Sequence, residues 1–529
     1  MNDLNAGRRR RDLAVLAESS RPLDILVVGG GITGVGIALD AATRGLRVAL
    51  VDASDLAFGT SRWSSKLVHG GLRYLGSGNI SLAYESAVER HHLMTTIAPH
   101  LIRPVRQVIP DFGRRRQMVA IRTGFRAGDL LRRAAGTSVE VLPPPASLSR
   151  DETVQRCPTV RLDGLSGGFG GSDGQLIDDA RLVVAVARTA AANGATVLTR
   201  VRADEVTGTS ARLTDTLTGE SFDVAARAVV NATGVWSGDI EPSLSVRPSR
   251  GTHLVFDAAT FGHPTAALTV PLNGSVSRFV FALPEQLGRV YVGLTDVEAA
   301  GPVPDVPQAS DEEIDFLIDA INVALERPVS RADVIGTFAG LRPLVDNRPA
   351  GDGGAGDDSI VPATGAGDLA DVSRRHLVRV SGGTLVSVIG GKLTTYRRMA
   401  KDALDAAVDV ARLDAGPCVT ERTPLIGARG AAPGSSFLAS SLPASLVARF
   451  GSEAAKVIEV ATVSDPRGPI VDGMDLTRAE IEFAVTHEGA LDADDVLHRR
   501  TRIGLVDADA DRARAAVEEI VESALVTSC

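Results

Sequence analysis

The sequence predicts an α/β protein in which a Rossmann-like nucleotide-binding unit is joined to an antiparallel sheet and a helical C-terminal domain. Three observations predict it: a strand–glycine turn–helix–strand unit between residues 23 and 52, alternating apolar runs around residues 252–297, and a helical pattern beyond about 420. At 529 residues and 44% apolar composition, the chain can bury large cores and divides into two or three domains.

The first unit reads LDILVVGGGITGVGIALDAATRGLRVALVD. Leu23 to Val28 is a short apolar run of strand type, and Gly29, Gly31 and Gly34 then form G-x-G-x-x-G at the opening of a helix. Ile37, Ala38 and Ala41 give that helix its apolar face, Gly45 ends it, and Arg47 to Val51 form a second strand closing on Asp52. Such glycines allow a tight turn and close approach of a pyrophosphate to the helix N-terminus. Asp52 lies where a carboxylate accepts hydrogen bonds from a ribose. The unit therefore predicts an adenine dinucleotide, either NAD or FAD.

Two later elements favour FAD. The strand Ala228 to Val230 runs into Asn231-Ala232-Thr233-Gly234, and the strand Leu385 to Ile389 meets Gly390-Gly391 before a helix that starts near Lys392. Three strand-to-glycine elements, far apart in sequence, converge on one long cofactor. A helix N-terminus beside an isoalloxazine stabilises negative charge on its N1–C2=O edge.

A fourth stretch, SSKLVHGGLRYL from Ser64 to Leu75, sets Lys66, His69 and Arg73 around Gly70-Gly71. Interior glycines cost a helix about 1 kcal/mol each, so the pair implies that backbone comes close to something. The cations imply that the partner is anionic. Only four lysines occur, Lys66, Lys392, Lys401 and Lys456, and two of them adjoin Gly-Gly pairs. The net charge of −9 argues against a nucleic-acid partner. Cys157, Cys418 and Cys529 are scattered, which fits a reducing compartment with neither disulfides nor a metal site. No apolar run reaches the roughly 20 residues a membrane span needs. Arg8 to Arg11 precede no apolar signal segment, so residues 1–19 read as a disordered basic arm.

Together with GLRPL at Gly340 to Leu344, SRRH at Ser373 to His376 and GGKLTTYR at Gly390 to Arg397, these motifs resemble the FAD-dependent glycerol-3-phosphate dehydrogenases. That family lies within the wider D-amino-acid-oxidase-like flavoproteins. The likeness runs from about residue 20 past 500 and includes DADDVLHRRTRIGL; Trp63 and a Gly/Asp-rich stretch at 350–371 depart from it. The resemblance implies a cofactor set of Asp24, Gly29, Gly30, Gly31, Ile32, Thr33, Gly34, Asp52, Ser61, Ser64, Ser65, Lys66, His69, Gly70, Gly71, Ala232, Thr233, Gly234, Gly391, Lys392, Leu393 and Thr394. It implies a substrate set of Arg73, Tyr74, His253, Arg342, Arg374 and Lys392, with Gly70 and Gly71 letting the loop pass under the isoalloxazine. Guanidinium forks match phosphate oxygens bidentately, so this is a phosphate clamp at a flavin. The implied reaction moves hydride from C2 of sn-glycerol 3-phosphate to FAD, leaves dihydroxyacetone phosphate, and sends electrons to a membrane quinone. His253 is the first choice of base for the C2 hydroxyl, with Arg342 or His69 as alternatives and Lys392 beside them.

The expected organisation is a discontinuous FAD domain (about 20–90, 150–240 and 372–412), a substrate sheet at about 241–371, a basic segment at 100–140, and a helical domain at 420–529. In RRRQMVAIRTGFRAGDLLRR, Arg114 to Arg133, arginines alternate with Met118, Val119, Ile121, Phe125, Leu130 and Leu131. This is the composition of a segment lying on an anionic lipid surface, and it predicts a cytoplasmic protein held peripherally at the membrane. A helix packed on the flavin domain is the alternative. A glycerol-3-phosphate oxidase using O₂, an amine-oxidising relative and a non-catalytic flavin protein remain competing functions, and the sequence leaves a homodimer open.

Overall fold

The computed structural model describes residues 3–71, 74–75, 78–272, 275, 278–345, 376–428 and 442–527. Arg73, Arg374 and the 350–371 stretch lie outside them.

The strand Leu23–Val28 is apolar throughout except at Asp24, so it is buried from both faces and sits mid-sheet. It pairs in parallel with Val48–Asp52 on one side and Ser221–Asn231 on the other. Thr196–Thr199 extends one edge and Leu385–Gly390 the other, both in parallel, and His376–Ser381 closes that edge antiparallel. The helix Ile32–Thr43 makes the crossover between the first two strands. It packs so closely on the helix Tyr396–Val410 that a Cβ at Gly36 would lie 2.9 Å from the Tyr396 ring. The expected Rossmann-like unit is therefore present, with the strand ends that follow Val28, Asp52, Asn231 and Gly390 along one rim.

The second sheet has eleven strands and is mainly antiparallel. Toward one end of it, Val246–Asp257 pairs with Gly336–Val345 over ten residues and with Arg289–Gly293. Phe279–Glu285 and Arg289–Gly293 form a hairpin turning at Gln286–Gly288, as the alternation predicts. The sheet also takes in Leu67–Val68, Ile102–Asp111, Ala146–Leu148, Gly167–Gly170 and Ser172–Leu176. Within the expected 150–240 piece of the flavin domain, the strands Gly167–Gly170 and Ser172–Leu176 thus belong to this sheet and not to the flavin sheet. Gly167, Gly168, Gly170, Gly171 and Gly174 carry no apolar signal to reveal their pairing, which explains the misplacement.

From residue 3 onward the expected arm is ordered. Ala6–Glu18 is a helix capped by Asn5, whose side chain accepts from the Arg8 amide. Arg9 is buried against Asp215 (2.6 Å) and donates to the carbonyl of Thr199 (2.8 Å). The charge that looked solvated is the anchor. The C-terminal domain is helical, as expected, and Thr477 and Glu480 form a capping box at the start of Arg478–Thr486. Buried ion pairs tie it to the flavin domain: Arg181 with Glu488 (2.8 Å), Arg188 with Glu453 (2.7 Å), and Arg500 with Asp55 (2.8 Å). Removing one partner of such a pair leaves a buried charge and costs about 3–5 kcal/mol.

Residues 115–134 form one continuous helix despite Gly124 and Gly128. Met118 and Ile121 are buried, and Phe125 packs with them against Phe169 beneath the helix. These side chains do not face a lipid surface; they pack as a covering helix, but on the second sheet and not on the flavin domain that the alternative reading named. The outward face carries Arg116, Val119, Thr123, Arg126, Leu130 and Arg133. No described helix is long and apolar enough to cross a membrane.

Candidate active site

A cavity of about 1640 Å³ lies along the strand-end rim and passes between the two sheets. It is larger than the roughly 300–1000 Å³ of a typical small-molecule site, so it can hold an extended ligand and a second molecule beside it.

One end is built by the glycine turn. Gly29 has φ +112°, and a Cβ there would lie 2.6 Å from the Ala232 carbonyl oxygen. At Gly34 a Cβ would sit 1.8 Å from the Gly29 carbonyl, so these glycines are needed for the turn itself. Gly31 differs. Its φ is −75°, and a Cβ would meet only Ser61 Oγ at 3.1 Å. Gly31, Ile32 and Thr33 line the cavity at a helix start that no side chain of its own N-cap covers. The Ile32 amide donates to Ser61 Oγ (2.9 Å), which also lines the cavity.

Asp52 stands at the next strand end, also on the wall. Its carboxylate accepts from the Gly30 amide (2.6 Å) and the Ser54 amide (2.8 Å). Burial pushes its pKa up to about 6 against those two hydrogen bonds. The folded pKa is raised, so the carboxylate is ionised only above that value. If ribose hydroxyls donate to it, affinity for FAD should weaken as pH falls through about 6. Flavin titration of the apoprotein between pH 5 and 7.5 measures this, and Asp52→Asn should flatten the dependence.

Asp24 does not join the site. It lies at the opposite end of its strand, where its side chain accepts from the Arg47 amide (2.9 Å). A carboxylate next to a strand of this type reads alike at either end, and only the strand's direction separates the two.

Ala232, Thr233 and Gly234 follow the third strand end and line the cavity. Asn231 is buried behind them and accepts from Thr233 Oγ1 (2.7 Å). Gly391, Lys392, Leu393 and Thr394 form the facing wall, where Lys392 precedes the short 3-10 turn that leads into the Tyr396–Val410 helix. The Lys392 ammonium lies 3.5 Å from the centroid of the Tyr74 ring, so two members of the expected substrate set meet.

Ser64, Ser65 and His69 also line the cavity, whereas Lys66 does not. Its ammonium turns away to Asp179 (2.8 Å) and the carbonyls of Arg62 and Ser64 (each 3.0 Å). The predicted cofactor contact is an internal ion pair. The Gly70-Gly71 pair is likewise explained inside the protein. A Cβ on Gly70 would lie 2.4 Å from the Arg90 guanidinium, and one on Gly71 (φ +75°) 2.9 Å from Ala83 Cα. On the side where a Cβ would stand, their close approach is to the helix Ile80–His92. The anion that draws Arg90 is Asp173, which also accepts from the Gly70 amide (3.1 Å).

Arg342 enters the cavity from the Gly336–Val345 strand and remains about one-third exposed. Asp296 (3.2 Å), Ser249 Oγ (3.3 Å) and the carbonyl of Thr295 (3.2 Å) hold its guanidinium. Gly251 leaves the space it crosses: a Cβ there would lie 2.2 Å from the guanidinium. Asp296 and Thr295, which line the same wall, were not found from sequence; their only signal is their place after the Arg289–Gly293 strand.

His253 is one layer further back. It is 1% exposed, stacks on Phe338 (4.5 Å between ring centroids), and reaches the cavity only through Ser65, whose Oγ is 2.9 Å from Nε2. Burial, then the charges of Lys66 and Arg342, hold its pKa well below the ordinary value, so the imidazole is neutral.

The residues present fit FAD. The glycine turn leaves a cradle that a Cβ would fill, a bare helix start opens onto the cavity where a pyrophosphate would be attracted, and a carboxylate stands one strand over, where a ribose would lie.

Residues 24–397 match the family described as FAD dependent oxidoreductase, and residues 418–525 match the C-terminal domain of alpha-glycerophosphate oxidase. Glycerol-3-phosphate dehydrogenase 1 of Mycobacterium tuberculosis is 58% identical over 98% of each chain. The mitochondrial glycerol-3-phosphate dehydrogenase of Arabidopsis thaliana is 33% identical over 96% of this chain and 83% of its own. Among solved structures, the glycerol-3-phosphate dehydrogenase of Bacillus halodurans complexed with FAD matches with a TM-score of 0.72 at 25% identity, covering 100% of this chain and 95% of that one.

Proposed function

On the premise that the chain belongs to the FAD-dependent glycerol-3-phosphate dehydrogenase family, we propose that it oxidises sn-glycerol 3-phosphate to dihydroxyacetone phosphate and delivers the electrons to a membrane quinone. FAD, when bound, supplies the hydride acceptor. The chain's own residues bind the phosphate, orient C2 and take the hydroxyl proton. Arg342 and Lys392 line one cavity and carry the charge that a phosphomonoester dianion needs. Arg342 is preset by Asp296 and Thr295, so little side-chain entropy is lost on binding.

For the C2 hydroxyl proton, His69 takes precedence over His253. His69 lines the cavity, while His253 is buried behind Ser65 and accepts a proton only by way of that hydroxyl. His69→Asn should remove the acid limb of the pH–rate profile, where a base is lost to protonation, and His253→Asn should change the rate without removing that limb. The reverse pattern returns the role to His253.

The observation that carries the substrate reading is that two cations, Arg342 and Lys392, line the same cavity as the glycine turn. Anaerobic bleaching of the bound flavin by glycerol 3-phosphate, with glycerol and amino acids inert, tests it. Reoxidation by a quinone analogue without peroxide supports the acceptor; rapid reoxidation by air with stoichiometric peroxide would mean an oxidase.

The membrane reading now rests on the outward stripe of the Arg115–Ala134 helix, where Val119 and Leu130 are 61% and 64% exposed between arginines. Each arginine gains about 1 kcal/mol near an anionic leaflet. Val119→Asp with Leu130→Asp should abolish co-sedimentation with anionic vesicles while dye-linked activity persists. Equal pelleting of parent and variant, or none by either, removes this helix from the membrane contact.

A further inference from the structure

Trp63, Ser64 and Ser65 form part of the cavity wall, yet the groups that hold them lie behind it. The polar backbone of this turn is bonded to a buried charge cluster. The Ser64 amide donates to Asp179 (2.9 Å), and the carbonyls of Arg62 and Ser64 accept from the Lys66 ammonium (each 3.0 Å). Arg502 completes the cluster: its guanidinium pairs with Asp178 (3.0 Å) and Asp179 (3.3 Å) and donates to the Arg62 carbonyl. Lys66, Asp179 and Arg502 are each at most 2% exposed. Lys66 also takes the left-handed φ of +57°, which an L residue adopts at a cost of roughly 1–2 kcal/mol unless its surroundings hold it there.

Lys66 and Arg502 face Asp178 and Asp179, and Lys66 keeps its place among them only while the turn that carries it stays in place. On its far side the Lys66 ammonium lies 4.9 Å from the Phe338 centroid, and Phe338 stacks on His253, the hydrogen-bond partner of Ser65. Arg502 belongs to the C-terminal domain, 440 residues from the carbonyl it holds. We infer that Arg502 is a positioning residue for the active site: through Asp179 and Lys66 it fixes the Trp63–Ser65 wall against which cofactor and substrate are held. This rests on the reading of the cavity given above. The C-terminal domain is then part of the catalytic apparatus, although none of its described residues lines the cavity.

Arg502→Gln should weaken FAD binding at least tenfold, alter the visible circular dichroism of the bound flavin and raise KM for glycerol 3-phosphate. Glu453→Gln cuts another ion pair across the same domain junction, with Arg188, and should change none of these. Arg502→Gln and Asp179→Asn act on one relay, so their combined effect on FAD affinity should be smaller than the sum of the two. If Arg502→Gln does not fold, Asp178→Asn removes one of the guanidinium's two acids and should give the same spectral shift. Parental FAD affinity and spectrum in the folded Arg502 or Asp178 variant, or additivity in the double variant, overturns the inference. If glycerol 3-phosphate never bleaches the parent flavin, the substrate reading fails, while the affinity and spectral arms still decide the role of Arg502.

Discussion

Gly31→Val should yield a folded, colourless protein, whereas Gly34→Ala should lose both flavin and stability. The two glycines belong to one motif but serve different partners. At Gly34 an added Cβ would lie 1.8 Å from the carbonyl oxygen of Gly29, so the turn must open before any ligand is considered. At Gly31 the backbone is ordinary, and the nearest obstacle is the hydroxyl of Ser61 at 3.1 Å. A valine there displaces Ser61 from the Ile32 amide and occupies the space where the helix start meets the pyrophosphate. The apoprotein of Gly31→Val should therefore melt within a few degrees of the parent apoprotein, while its flavin content falls to a few per cent. Apoprotein of Gly34→Ala should melt markedly lower, since backbone overlap of this kind costs at least about 1–3 kcal/mol. Stoichiometric yellow protein from Gly31→Val would remove the pyrophosphate from this turn.

The glycine motif was legible because its information is local. Turn, helix start and Asp52 are set by spacing within a single βαβ unit, and each of these appears where the sequence places it. The cavity faces of Ala232–Gly234 and Gly391–Thr394 were legible for the same reason, as glycines at strand ends. What failed were side chains whose partners are remote in sequence. Lys66 looked like a ligand-facing cation because Asp179 stands 113 residues away. Arg9 looked solvated because its partner Asp215 is 206 residues away. Gly70-Gly71 was read correctly as a close approach, but the approaching group is a helix of the same chain. Amphipathicity of residues 114–133 was plain in the sequence. The side on which the sheet lies was not, and that side claims Met118, Ile121 and Phe125. The alternating apolar run around His253 placed it on a strand, while its depth behind Ser65 depends on the stacking of Phe338 from a neighbouring strand.

Neutralising Arg342 should raise KM for glycerol 3-phosphate by about 10- to 150-fold, which corresponds to a charge-assisted hydrogen bond of roughly 1.5–3 kcal/mol. The residue is suited to this because its surroundings orient it without burying it. Asp296 and the Thr295 carbonyl hold one side of the guanidinium, and about a third of the side chain stays open to the cavity. Arg342→Gln also removes one of the groups that balance Asp296 on the wall, so more negative charge faces a phosphate dianion and the effect moves toward the upper end. The companion variant separates the two contributions. Asp296→Asn keeps the guanidinium but loosens it, so it should cost much less than Arg342→Gln. Adding Asp296→Asn to Arg342→Gln should recover part of the loss. Arg342→Lys should restore little, since a point charge lacks the planar fork that meets two phosphate oxygens at once. An uncharged diol that reduces the flavin slowly supplies the control. Its KM should be nearly unchanged by Arg342→Gln, because it presents no phosphate to lose. Equal losses for phosphate and diol would mean that Arg342 shapes the cavity and does not bind the anion, and the clamp would then have to be sought at Lys392 with Tyr74.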